Sequence, residues 1–237
     1  MNFFGLLSFL LLTGECLVRC SHEEHLEKCL MLWPEISKEQ PSPEPGLECP
    51  VFQEKSCCYK GATEPMLSDQ QVQGITYYNH CPQKTELSAQ CHQEFFDELC
   101  FFMCSPDTGP WITFATHEEP VRDRFIDVPI CPEVCEKWWQ ACKQEYTCTD
   151  NWYLGFNMST GRNHCHNIDD CKPYTEIFKT AKNFCESIWD FSFKVVDEGE
   201  PCMNFVYDLT KDDNNRRVAE MKAKELSELD KIKNVEL

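Results

Sequence analysis

Glycine is scarce in this chain, nine of 237 residues, and no stretch reads as a glycine-rich loop of the kind that cradles a phosphate. There is no GxSxG nucleophile elbow and no HExxH metal motif either. Carboxylates are plentiful, but no pair stands apart from surface charge, so nothing points to an enzyme. Positive charge is also short: 22 basic against 40 acidic residues leave a formal charge of −18. That balance disfavours nucleic acid and anionic membrane surfaces as partners. The apolar run from Phe3 to Leu12 is too short to cross a bilayer. Lys211 to Leu237 is polar throughout, without the hydrophobic tail that a lipid-anchor signal needs, so no membrane anchor is expected.

What the chain has in excess is cysteine, 18 residues, which points to an oxidising compartment. The N-terminus agrees. Phe3 to Leu12 has the length of a signal-peptide core, although no Lys or Arg precedes it. Cleavage after Cys20 (residues 1–20 as the signal) would leave 16 cysteines, and cleavage after Gly14 would keep all 18. The expected protein is secreted and extracellular. Sixteen cysteines can pair in about two million ways, and spacing alone does not choose among them. Each closed loop of ordinary size contributes about 2–4 kcal/mol, so the core need not be large.

Cysteines run without a long gap from Cys29 to Cys202, which argues for one domain, residues 21–205, followed by a polar, partly helical tail over 206–237. In that tail Val218, Met221, Ala223, Leu226, Leu229 and Ile232 are spaced like one helical face. A frayed, solvated helix is the preferred reading. Gln40 to Gly46 carries three prolines and reads as a loop. Helical periodicity appears over Leu87 to Cys104, Pro132 to Tyr146 and Pro173 to Trp189. Thr149 to Asp170 is turn-rich. Gly74 to Tyr78 and Phe191 to Val196 are the two short strand candidates.

Three groupings bear on chemistry. Cys100/Cys104, Cys131/Cys135 and His164-Cys165-His166 lack the CxxC spacing of zinc modules, and paired thiols in a secreted chain become disulfides, so no metal and no cofactor are expected. Six Trp, seven Tyr and sixteen Phe exceed what packing alone asks of a small disulfide-rich domain. Facing aromatic planes in a cleft would bind a flat heterocycle by stacking, with a few polar groups fixing its orientation. Asn157-Met158-Ser159 is an N-glycosylation sequon.

Four segments together resemble a known family: the CCY at Cys57, CFFMCSPDTGPWI from Cys100, VPICPEVCEKWWQACKQEYTCTDNW from Val128, and TGRNHC from Thr160. They are similar to the folate receptor and riboflavin-binding protein family, which also includes the egg-surface receptor for sperm. The resemblance covers roughly Cys29 to Cys202. It implies an α+β fold: a small disulfide-rich single domain of short helices and strands with an open aromatic ligand cleft and eight disulfides. The pairs it implies are Cys29–Cys57, Cys49–Cys100, Cys58–Cys104, Cys81–Cys171, Cys91–Cys142, Cys131–Cys202, Cys135–Cys185 and Cys148–Cys165.

The resemblance also implies a site. In the vitamin binders a Tyr and a Trp sandwich the flat ring, and here those positions hold Phe102 and Trp189. A pterin-accepting Asp of the folate receptors is Glu98 in this chain. A carboxylate can accept the paired amine and ring N–H donors of a pterin. Arg124 matches one of two ligand-holding arginines, and Ser192 keeps a ligand-contacting serine. Pro120 and Val121 replace the Trp and the other Arg. After Asn151-Trp152, Gly155 and Asn157 match, but the receptors' basic and indole groups are gone. The implied ligand is a folate-like pteridine vitamin. Riboflavin is the alternative, and a cell-surface or other protein partner bound by the same fold without vitamin is a third reading.

Overall fold

The computed structural model describes residues 24–32, 34–64, 71–72, 76–114, 123–207 and 214–235. The proposed signal (1–20), Trp33, Pro120 and Val121 lie outside these residues.

All eight expected disulfides are formed, with Cα–Cα separations of 4.6–6.0 Å. They link short elements that could not hold one another by ladders alone. Among the described residues the strands are two to six residues long and make five two-stranded sheets. Helix α1 (Ala89–Cys104) is the centre of the fold. Ser88 caps it by accepting from the Cys91 N–H, and it buries Cys91, Phe95, Leu99, Phe101 and Cys104. Helix α2 (Pro132–Cys142) begins on a proline whose missing N–H is no loss in a first turn. It ends at Cys142, four residues short of the expected Tyr146, because Tyr146–Thr147 pairs as a strand with Lys172–Pro173. Trp138 on α2 is fully buried against Phe95 and Phe184.

The third expected helix is two. Helix α3 (Tyr174–Ile177) stops at Phe178, Lys179 takes a left-handed φ of 70°, and Thr180 caps helix α4 (Ala181–Ser187) by accepting from the Asn183 N–H. The apolar period survives the break because Tyr174, Phe178 and Phe184 all reach the same core, so periodicity alone did not register it. The first strand candidate is present as Thr76–Tyr77. The second is Phe193–Val195, which runs parallel to Val128–Ile130. The proline run is not all loop: strand β1 (Ser37–Ser42) extends through Pro41 and pairs antiparallel with Ser56–Cys58. A proline is tolerated in an edge strand.

The tail also departs from expectation. Helix α5 (Asn214–Val235) is docked, burying Asn215, Val218, Ala219, Ala223 and Ser227, while Met221, Leu229 and Ile232 stay exposed. Small residues let it lie close. Arg216 reaches Glu27 at 3.3 Å, His25 meets Asp230 at 3.5 Å, and the Asn215 amide bonds the backbone of Asn204. Beside it the turn Gly109–Trp111 presses on the N-terminal segment. A Cβ on Gly109 would sit 2.8 Å from the Lys28 carbonyl oxygen and closer still to that of His25. Gly109→Ala is therefore expected to destabilise the protein by about 1–3 kcal/mol, the usual range for overpacking against backbone. Thermal melts of the two proteins check it, and an unchanged Tm would mean that this contact is loose.

Candidate functional site

Helix α1 places Glu98 and Phe102 one turn apart on one face. The other half of the site comes from the turn after α4. Asp190 and Phe191 adopt left-handed φ values of 50° and 62°, uncommon for non-glycine residues, and the turn is held from several sides. The Trp189 carbonyl oxygen accepts from the Ser192 N–H (3.1 Å), the Ser192 hydroxyl (2.8 Å) and the Arg124 Nη2 (3.2 Å). Arg124, on the strand Asp123–Phe125, also bonds the Asp190 carbonyl oxygen and reaches the Asp190 carboxylate at 2.9 Å. Asn151 donates to the other carboxylate oxygen at 2.8 Å. The Tyr153 ring lies 4.4 Å from the guanidinium carbon. Asn151 itself is fixed where Gly155 crowds Thr149 and the Asn151 carbonyl too closely to admit a side chain.

The indole of Trp189 is thereby aimed at α1. It meets Trp152 edge-on at 5.7 Å and Tyr78 at 6.3 Å. Glu98, 2 % exposed, lies in this aromatic surround. Burial pushes its carboxyl up to about 8, and the neighbouring Trp189 indole N–H only partly offsets this. That N–H closes no hydrogen bond of normal geometry, and neither does the buried Nε of Arg124. A buried carboxyl within an aromatic surround, with an indole N–H beside it, is what a polar, planar ligand would satisfy. The buried Tyr78 hydroxyl is pushed well above its ordinary range, chiefly by burial and then by the charge of Glu98.

Of the expected site residues, Glu98, Trp189, Arg124 and Ser192 are brought together. Phe102 is half-buried, and its described ring contact is with Phe125, edge-on at 5.2 Å. Arg124 is committed to protein partners, so its place here is to hold Trp189. Sequence reasoning missed Tyr78, Asn151, Tyr153 and Asp190. Tyr78 sat in a short strand candidate without a spacing signal, whereas Asn151 stood inside a quoted motif and could have been picked. Asn157 is half-buried at the root of a bridge to His164, with Met158 and Ser159 exposed. The cysteines weighed as metal ligands are all in disulfides.

A disulfide-clamped α+β domain with a carboxyl buried among aromatic rings is a small-molecule binding architecture. Comparison with known proteins makes the class specific. The family model described as the folate receptor family matches residues 28–204, and the chain belongs to that family. Human folate receptor gamma is 31% identical over 191 residues, covering 78% of this chain and 76% of the receptor. The riboflavin-binding protein of Dromaius novaehollandiae is 35% identical over 174 residues, 71% of this chain and 68% of that protein. The riboflavin-binding protein of Gallus gallus is 34% identical over 171 residues, 70% and 67% of the two chains. Among the described residues no helix is long and apolar enough to cross a membrane.

Proposed function

We propose that this chain is a secreted, non-enzymatic carrier that binds a flat, folate-like pteridine vitamin between Trp189 and Phe102. Glu98 would accept the ring's paired donors, with Arg124 and Ser192 assisting from behind Trp189. The observation that carries this reading is Glu98 itself. A carboxyl so completely buried is costly unless a partner satisfies it, and the family's relatives include proteins named for folate and for riboflavin. In this reading residues 1–20 are the signal, 21–205 the binding domain and 206–237 a tail that folds back on it. Asn157 carries the glycan.

Riboflavin is favoured by one specific observation. With its proton held up to about pH 8, Glu98 offers one donor and one acceptor. That pair complements the carbonyl and N–H of a flavin imide edge, whereas the ionised form suits the two donors of a pterin. Tryptophan-fluorescence titration with folate and with riboflavin, at neutral and mildly acidic pH, tests both. Saturable quenching by folate that weakens on acidification is the expected result. Quenching by riboflavin alone would move the assignment to that vitamin. Quenching by neither, in protein with a cooperative melt, would point to a protein ligand instead.

A further inference from the structure

We propose that Cys81, Cys148, Cys165 and Cys171 form one thiol–disulfide exchange site, able to isomerise between the pairing present here and a second pairing, Cys81–Cys165 with Cys148–Cys171. This goes beyond vitamin binding and does not depend on it.

The sulfurs of Cys81, Cys165 and Cys171 lie within 4.8 Å of one another, although Cys165 is bonded elsewhere, to Cys148. The Cys165 sulfur is also 3.7 Å from the His80 carbonyl oxygen, in the peptide just before Cys81. The two bonds of the second pairing would join segments that are already neighbours. Asn163 ties residues 163–165 to 77–80, accepting from the Tyr77 N–H at 2.7 Å and donating to the Tyr77 carbonyl at 3.0 Å and to His80 Nε2 at 2.9 Å. Strand pairing sets Tyr146 opposite Pro173 and Thr147 opposite Lys172. The ladder ends there, but one further step of the same antiparallel register would set Cys148 opposite Cys171, and directly opposed residues in such a ladder are about 4.5–5.5 Å apart at Cα, within disulfide reach. Access is graded: Cys148 and Cys165 are half-exposed while Cys81 and Cys171 are buried. Gln83 donates to the Cys171 sulfur at 3.3 Å, which would favour that sulfur as the departing thiolate.

The exchange needs only a small external thiol, and that thiol is regenerated. Its thiolate attacks the half-exposed Cys148 sulfur, forming a mixed disulfide and releasing the Cys165 thiolate. The Cys165 thiolate attacks the Cys81 sulfur, the Cys81–Cys171 bond breaks, and Cys171 leaves with the electron pair beside the Gln83 amide. The Cys171 thiolate then attacks Cys148 and expels the external thiolate. Two disulfides are broken and two formed, with no net oxidation. The consequence falls on the segment from Thr149 to His164, which carries the Trp152 and Tyr153 that back Trp189 and Arg124. Its closure moves from Cys148–Cys165 to Cys148–Cys171.

The test is disulfide mapping of the secreted protein after incubation with substoichiometric 2-mercaptoethanol at pH 8, quenched by acid. The expected result is the appearance of Cys81–Cys165 and Cys148–Cys171 peptides while the other six bonds stay native. Only native pairs, or scrambling spread over all eight bonds, would overturn the proposal. A second measurement uses Cys148→Ser, in which Cys165 is left without its partner. Alkylation should then label Cys171 as well as Cys165, and label on Cys165 alone would count against the exchange. Should that variant fail to be secreted, the mapping of the native chain still decides.

Discussion

Glu98→Gln is expected to unfold at a higher temperature than the native protein at pH 8 when no ligand is bound. The reason is the proton. Unfolded, the Glu98 carboxyl titrates near 4.5, and folded it titrates near 8. Between those values the native state binds more protons than the unfolded state, so stability falls as pH rises through the window. Below about 4.5 the penalty is absent, and above about 8 it is complete, of the order of a few kcal/mol. Glutamine has the same length and no charge to desolvate. The variant should therefore show a flatter dependence of Tm on pH between 5 and 8, and should gain most at the alkaline end. In the same protein a pterin should bind about a hundredfold more weakly, since the amide replaces one of the two acceptors with a donor and the charge-assisted pair is lost. Riboflavin should change little. Stabilisation together with weaker pterin binding identifies a group kept at a cost in stability for the sake of a ligand. Parallel pH profiles for the two proteins would mean that Glu98 is solvated in solution, and equal small effects on both ligands would remove it from the site.

The parts of this site differ in how far the sequence announced them. The cysteine framework was fully legible through resemblance, because twin cysteines and the WWQAC helix are rare combinations, whereas spacing alone left the pairing open. Glu98 and Phe102 were placeable because a helix carries i and i+4 on one face wherever it runs. The turn that aims Trp189 was not. A lone Asp190 is a weak turn signal and the left-handed Phe191 is none, and the supports of the turn come from Arg124, Asn151 and Tyr153, 37 to 66 positions away. The break at Lys179 was hidden for a related reason: apolar residues on both sides of it serve one core, so the helical period continued across a left-handed break after which a threonine caps a new helix. The tail misled in the opposite direction. Its most conspicuous apolar residues, Met221, Leu229 and Ile232, face away, and the docking surface is built from alanine, serine, asparagine and one valine that hydrophobic periodicity counts lightly.

Arg124→Met should lower the stability by about 3 kcal/mol, the low end of the range for removing one partner of a buried ion pair because the Asp190 side chain is 26% exposed, which for a chain of this size is a fall in Tm of roughly 6–12 °C. The arginine side chain is 7% exposed and satisfies three acceptors of Trp189 and Asp190 at once. Methionine fills much of the volume but leaves the Asp190 charge with only the Asn151 amide. Arg124→Lys should recover less than half of the loss, because an ammonium on a flexible stem cannot span a carboxylate and two carbonyls in one plane. The effect on binding separates two roles. If Arg124 acts by holding Trp189 in place, folate and pteroate, which lacks the glutamate, should lose affinity by the same factor, since both need the indole plane. If it gripped the carboxylates of the ligand directly, folate would weaken and pteroate would not. The geometry favours the first outcome, because Asp190 already neutralises the guanidinium and Tyr153 covers it. A charge satisfied on one side by a carboxylate and capped on the other by a ring has little left to offer an anionic tail.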